Sequence, residues 1–329
     1  MDAITEVEDL KRAFIFSLRK KFPRDSSSAI AISTVNLIRK IIFRENPRSM
    51  HDLHASLAKH CHQLHAAERS ELIVINIGLM ISKLARDEVL QKKGGSEPEP
   101  LYTLWRDAEE TTEKLKTADM KKIRKELQQS IKELSAEIES SRECIASQST
   151  ELIFNNDTVM VHSLSSSKTM HAFLSHASKS GRKHRVIDIV DSPEAIDTAP
   201  DFVSPIELDE VASKMPETSK VLLVAAAYFP DGSCLVPVGG HQIALLAKRH
   251  CLSPFFMTQP DALHTFRRNP LPFDLSASAA GLVDCLSPAF DSLKSDLVTL
   301  FVSNTSCIIP SHVNRLKEDY YNSQDVADF

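Results

Sequence analysis

Glycine is scarce: the 329 residues contain eight, at positions 78, 94, 95, 181, 232, 239, 240 and 281. None falls in a GxGxxG or GxxxxGK(S/T) arrangement. Those loops need glycine to bring backbone N–H groups close to phosphate, so the usual dinucleotide and nucleoside-triphosphate cradles are excluded. Positive charge is in deficit, with 39 Lys and Arg against 44 Asp and Glu, a net of -5. Aromatic residues make up 6%. A chain with no global positive field and few stacking rings is not expected to bind nucleic acid directly. The six cysteines are scattered at 61, 144, 234, 251, 285 and 307 with no CxxC pair. They predict free thiols in a reducing compartment rather than a disulfide framework. No apolar run approaches the roughly 20 residues of a membrane helix. The start, MDAITEVEDLKRAF, is acidic and then amphipathic, unlike a signal peptide. The expectation is a cytosolic protein. No GxSxG elbow is present, so a serine hydrolase lacks its signature.

What remains is an ordinary soluble composition, 42% hydrophobic and 25% charged, in a chain long enough for one large domain or two moderate ones. The first half reads as helical. Leu10, Phe14 and Leu18, then Ile30, Val35, Ile38, Ile41 and Ile42, recur at helical spacing, and residues 71–90 form a third apolar stretch. Residues 91–100, QKKGGSEPEP, have the composition of a flexible loop. From 118 to 147 the spacing of Met120, Ile123, Leu127, Ile131, Leu134, Ile138 and Ile145 predicts one long helix with a continuous apolar stripe. After about residue 148 short apolar runs alternate with helical ones. Strands are expected at 158–163, 186–190, 221–227, 254–257 and 298–303, and helices at 167–179, 208–214, 240–250 and 310–320. Such alternation predicts a parallel sheet covered on both faces. The fold class is therefore an N-terminal helical domain, residues 1–148, followed by a Rossmann-like α/β domain, residues 149–329.

Three sets of residues carry candidate chemistry. His51, His54, His62 and His65 share a helix face, but His54 and His62 are about 12 Å apart along the axis, so one ion cannot bridge them. A solvated histidine face is expected, and no metal. On the long helix, Glu126, Ser130, Glu133 and Glu137 form a polar stripe beside the apolar one. It suits a basic protein partner, and its plain alternative is water. Lys11, Arg12, Arg19, Lys20, Lys21, Arg24, Arg39, Lys40, Arg44 and Arg48 form an early basic cluster, read first as an amphipathic face and otherwise as a contact for RNA or for an acidic protein surface. No cofactor is expected.

The second half carries a resemblance. Val221 to Ala227 is an apolar strand. Asp231-Gly232, the helical run Gly239-Gly240-His241-Gln242-Ile243-Ala244-Leu245-Leu246-Ala247-Lys248-Arg249-His250 and Pro254-Phe255 follow it. Upstream stands Asn156-Asp157-Thr158-Val159-Met160 with Thr169-Met170-His171-Ala172-Phe173-Leu174. Downstream stand Phe290-Asp291, then Leu297 to Asn304 and Pro310-Ser311. Together these are similar to the family that joins the alpha, beta and delta subunits of translation initiation factor 2B to 5-methylthioribose-1-phosphate isomerase. The Ser303-Asn304 ending favours the beta branch. The chain departs from the pattern at Thr305 to Ile309, where the family is glycine-rich, and is short between Val190 and Val221, as if a strand–helix unit were trimmed.

The resemblance implies a regulatory, non-catalytic subunit of the guanine-nucleotide exchange factor for initiation factor 2. The partners implied are the alpha, gamma, delta and epsilon subunits and the alpha subunit of initiation factor 2 itself. Glu126, Ser130 and Glu133 match the family's contact with that substrate, and Asn156 and Arg185 lie near its core-symmetry interface. The isomerase's catalytic cysteine and aspartate correspond to Ser163 and Ala226, so both proton-handling groups are lost. The alternatives are a sugar-phosphate isomerase with relocated groups, and an alpha- or delta-type core subunit.

Overall fold

The computed structural model describes residues 3–19, 27–67, 73–92, 117–162, 164–190, 203–252, 254–258, 273–274, 287–288, 290–321 and 325–326. The chain divides into two compact units, residues 1–139 with 318–329, and residues 140–317.

The first unit is helical. It contains α1 (Ala3–Arg19), α2 (Ser27–Glu45), α3 (Met50–Ala67), α4 (Ile73–Lys92) and most of α5 (Thr117–Ser147). α2 packs on α1 and α4, and α3 packs on α4. The apolar spacing read from the sequence is the buried face: Ile38, Ile41, Ile123, Leu127, Ile131 and Ile138 are all buried, as are Leu53, Leu57, Cys61 and Leu64 of α3. Ser49 starts α3, its hydroxyl accepting the Asp52 N–H at 3.0 Å, which satisfies one orphan donor of the first turn. Gln91 and Lys92 complete α4 instead of opening a loop. Residues 93–100 lie outside the described residues.

The chain's last residues belong to this helical unit rather than to the α/β half. The physical reason is a set of polar contacts to α4 and α5. The Lys83 ammonium donates to the backbone oxygens of Glu318, at 3.2 Å, and Asp319. Arg86 pairs with the fully buried carboxylate of Asp325. The Tyr320 hydroxyl donates to Glu137 at 3.0 Å.

The second unit is α/β. Its main sheet contains β1 (Thr158–His162), β2 (Arg185–Ile189), β3 (Val203–Ile206), β4 (Lys220–Val224), β7 (Pro254–Met257), β11 (Leu300–Val302) and β12 (Cys307–Ile308). The order is β12-β11-β7-β4-β1-β2-β3, parallel except for the antiparallel β12. The order reverses direction between β1 and β4, the switch point at which open α/β sheets bind ligands. A smaller antiparallel sheet joins β5 (Ala227–Tyr228), β6 (Cys234–Pro237) and β10 (Phe290–Leu293), and β8 (Phe273–Asp274) pairs with β9 (Ser287–Pro288). The helices are α6 (Ser149–Leu152), α7 (Lys168–Lys179), α8 (Val211–Lys214), α9 (Gly240–Arg249) and α10 (Val313–Tyr320), the last continuing to the chain's C-terminal segment. Met170, Phe173, Leu174 and Ala177 of α7 cover β1, β2 and β4 through Val159, Val161, Val186 and Leu222.

Among the described residues, the unit expected to be trimmed has a strand, β3, and the four-residue helix α8. β3 escapes sequence reading because Val-Ser-Pro-Ile carries a proline. Pro205 stands opposite Asp188 on an edge strand, where a missing N–H costs little.

Candidate functional site

The carboxyl end of the sheet is the first place to test for chemistry. His162 closes β1 and is buried, and Asp188 in β2 is buried as well. The Asp188 carboxylate accepts the Leu164 N–H at 3.0 Å, tying down the turn after β1. Ala226 follows β4 and donates its N–H to Leu235 at 2.8 Å. An alanine side chain can neither take nor give a proton. Ser163 lies outside the described residues.

α9 begins in this region. Gly239 precedes it with φ 94, and a Cβ at that position would lie 3.2 Å from Leu208 and 3.7 Å from the His162 ring. A Cβ at Gly240 would meet Val236 at 2.5 Å. This glycine pair lets the backbone pass close to its neighbours. The positive end of the helix is already covered. The Asp291 carboxylate of β10 accepts the N–H groups of Gly239 at 2.8 Å and His241 at 3.2 Å. A helix amino end that would otherwise suit an anion is thus held by the chain's own carboxylate.

The opposite, amino-terminal edge of the sheet brings Asn156 and Arg185 together. Thr158 pairs with Arg185 in the β1–β2 register. Asn156 adopts a left-handed conformation, φ 68, which asparagine tolerates. Its N–H donates to Lys183 at 2.7 Å, and the Arg185 N–H donates to Asp157 at 2.9 Å. Beside them Phe154 is 53% exposed. The Lys220 ammonium lies 4.2 Å from its ring centroid and the Arg182 guanidinium 5.9 Å from it, both within cation–π range. Asp157 fixes Lys220 with a 2.6 Å ion pair.

The stripe on α5 is divided. Ser130 is half-buried and donates its hydroxyl to Glu88 of α4 at 2.5 Å. Glu126 is also half-buried, whereas Glu133 is exposed and accepts from Gln129 at 3.0 Å. Of the three, only Glu133 points fully outward, with Lys125, Lys132 and Glu139 exposed nearby.

The histidines of α3 do not converge. His51 and His62 are exposed, while His54 lies 2.6 Å from the Ser82 hydroxyl. Among the described residues no group of three or more His, Cys, Asp or Glu side chains could hold a metal ion. The buried thiols are unreactive. Burial pushes Cys61 up to about 12, and burial with the nearby Asp231 pushes Cys234 further. Neither supplies a thiolate near neutral pH.

Comparison with known proteins gives this geometry a family. The model of the initiation factor 2 subunit family matches residues 24–200, more than half of the chain. The chain belongs to the initiation factor 2 subunit family. It is 28% identical over 243 residues to the beta subunit of translation initiation factor eIF2B from Dictyostelium discoideum, a match over 68% of this chain and 60% of that protein. It is 25% identical over 230 residues to the Schizosaccharomyces pombe beta subunit, over 59% of this chain and 54% of that one. The chain thus spans little more than half the length of these curated relatives. Among solved structures, eIF2B beta from Chaetomium thermophilum superposes with a TM-score of 0.72 at 18% identity, over 99% of this chain and 94% of the other. A chain of the tetrameric eIF2B-beta2-delta2 complex of the same organism gives 0.71 at 19%, over 96% and 95%. The 5-methylthioribose 1-phosphate isomerase of Pyrococcus horikoshii OT3 shares the fold more distantly, with a TM-score of 0.58 at 12% identity, over 95% of this chain and 86% of that one.

Within this member of the initiation factor 2 subunit family, sequence reasoning missed four groups. Asp188 had a signal, a carboxylate inside an apolar strand whose other charge, Arg185, stands at its start. Asp291 was visible only as part of a motif, and its partners lie some 50 residues away. Phe154 with Lys220, and Arg86 with Asp325, carry no local signal at all.

Proposed function

We propose that the chain is a regulatory, non-catalytic subunit of the guanine-nucleotide exchange factor for initiation factor 2. The observation that carries this reading is likeness in fold to eIF2B beta over 99% of the chain, together with the family match over residues 24–200. Its placement is cytosolic. Among the described residues no helix is long and apolar enough to cross a membrane, which fits.

In this reading the chain scaffolds the complex with alpha, gamma, delta and epsilon subunits and binds the alpha subunit of initiation factor 2. Glu133 is its outward acidic contact on α5, with Glu126 beside it and Ser130 bracing the helix from behind. Asn156 and Arg185 belong to a subunit interface. Their support is the exposed Phe154 ring and its two cations on the same sheet edge, since aromatic and arginine side chains dominate interface energetics. The domain division at 148/149 is proposed as the functional one, helical contact unit before α/β assembly unit.

The isomerase reading has the shared fold in its favour and Ala226 against it. Asp291 at the amino end of α9 also disfavours a phosphorylated sugar. Affinity purification of the tagged chain from its own cytosol, followed by mass spectrometry, separates the readings. Recovery of four other exchange-factor subunits with initiation factor 2 supports the proposal. A lone homodimer that turns over 5-methylthioribose 1-phosphate overturns it, and an inactive homodimer indicates an alpha-type subunit.

A further inference from the structure

Phe43, near the end of α2, is 70% exposed. Arg39 and Lys40 precede it by four and three residues, so the three side chains share one helix face. Arg48 is exposed in the turn that follows. Asn46 makes that turn sharp, entering the left-handed region at φ 51 while its N–H still bonds to Ile42 at 3.2 Å. The ten residues from 39 to 48 hold four cations and one carboxylate, in a chain whose net charge is -5.

The local acids are already committed. Glu6 of α1 is paired with Arg44. Glu45 is held by the Ser56 hydroxyl and by His60 at 2.8 Å. The side chains of Arg39, Lys40 and Arg48 make no ion pair or hydrogen bond with the described residues. Among the described residues of the helical unit one other ring is highly exposed, Phe16 at 78%, and it has beside it Arg12, already facing Asp9 at 3.8 Å.

We infer that this face of α2 is a docking site for an acidic protein segment carrying an apolar anchor residue. The ring would cover the anchor, and Arg39, Lys40 and Arg48 would neutralise flanking carboxylates. Three cations on one short patch match a peptide. Nucleic acid asks for an extended basic track, longer than this three-cation patch. The patch uses no residue of α5 or of the sheet edge, so it stands apart from the proposed contacts with initiation factor 2 and the other subunits.

The test replaces Phe43 in the full chain with the photocrosslinker p-benzoylphenylalanine. The chain is irradiated in extract of its source cells, and the joined peptides are sequenced by mass spectrometry. The same group at Phe16 gives the background. The expected product at 43 is a net-acidic peptide. Its yield should fall roughly tenfold with Lys40→Glu/Arg48→Glu, as for loss of a hot-spot contact, and stay unchanged with Arg12→Glu. All these positions are exposed, and an unaltered thermal midpoint would confirm that the variants fold. A crosslink to nucleic acid, a neutral or basic peptide, a yield no higher than at Phe16, or a yield indifferent to the charge reversal would each overturn the inference.

Discussion

The Asp291 carboxylate accepts the backbone N–H of Gly239 at 2.8 Å and so closes the amino end of α9 from a strand residue 52 positions further along the chain. Two orphan donors of the helix depend on this one side chain. Asp291→Ala should therefore lower stability by about 1–2 kcal/mol. Asp291→Asn keeps an acceptor oxygen and should cost less. Urea unfolding of the three proteins checks the order, and equal midpoints would show that water replaces the carboxylate.

Gly181 and Cys251 occupy the same place at the ends of α7 and α9. In each case the next residue's N–H reaches back, Arg182 to Ala177 at 3.1 Å and Leu252 to Ala247 at 2.9 Å. Both have positive φ, 84 for Gly181 and 56 for Cys251. The motif favours glycine, and a side chain there is strained by about 1 kcal/mol. Cys251→Gly should raise stability by about that amount and Gly181→Ala should lower it similarly. Thermal denaturation of each variant measures both signs.

Glu133 and Ser130 should separate in function. Glu133→Lys reverses an exposed charge and should weaken binding to the alpha subunit of initiation factor 2 roughly tenfold, with the salt dependence of an interface charge. Its thermal midpoint should stay put. Ser130→Ala removes the contact with Glu88 and should lower stability by about 1 kcal/mol with little effect on binding. Unchanged affinity in Glu133→Lys would remove α5 from the interface.

Arg86→Ala leaves the buried Asp325 carboxylate without its main counter-charge. Breaking a buried pair from one side typically costs about 3 kcal/mol or more. The C-terminal segment should release from the helical unit, read as faster amide exchange near Tyr320 and Tyr321. Exchange as slow as in the parent protein would show that Lys83 and Tyr320 suffice to hold it.

Glu45 gives the helical unit an acid limit. Burial raises its affinity for protons, but the Ser56 hydroxyl and His60 outweigh that, and the carboxyl titrates below its ordinary value of 4.5. A carboxylate with a depressed folded value stabilises above its unfolded value, and that contribution fades as pH falls through the folded one. Glu45→Gln should therefore lose stability at neutral pH and converge with the parent once the pH falls below the carboxyl's lowered folded value. Denaturation midpoints across that range provide the check, and parallel curves would contradict it.

Much of the fold was legible because its signals are local. The seven apolar residues of α5 announce a helix and its buried face without reference to anything else. The run from Val221 to Ala227, the turn at Asp231-Gly232 and the helix from Gly240 show a strand followed by a covering helix. β3 was not legible, since Pro205 is tolerated only on an edge strand, and edges exist only once strands are ordered. β5, β6 and β10 were invisible because strands of two to four residues gain their identity from partners, Cys234–Pro237 from Phe290–Leu293.

By itself the sequence determined the helical half, the parallel α/β half, the missing phosphate loops and the family, each through periodicity or motif along consecutive residues. It also puts an alanine, residue 226, where the family resemblance would place a proton-handling group of the isomerase. Tertiary structure decided which polar residues are available. Ser130 and Glu133 lie three residues apart on one helix, yet α4 takes the first and leaves the second to solvent. That choice rests on Glu88, 42 residues distant, and no local pattern carries it.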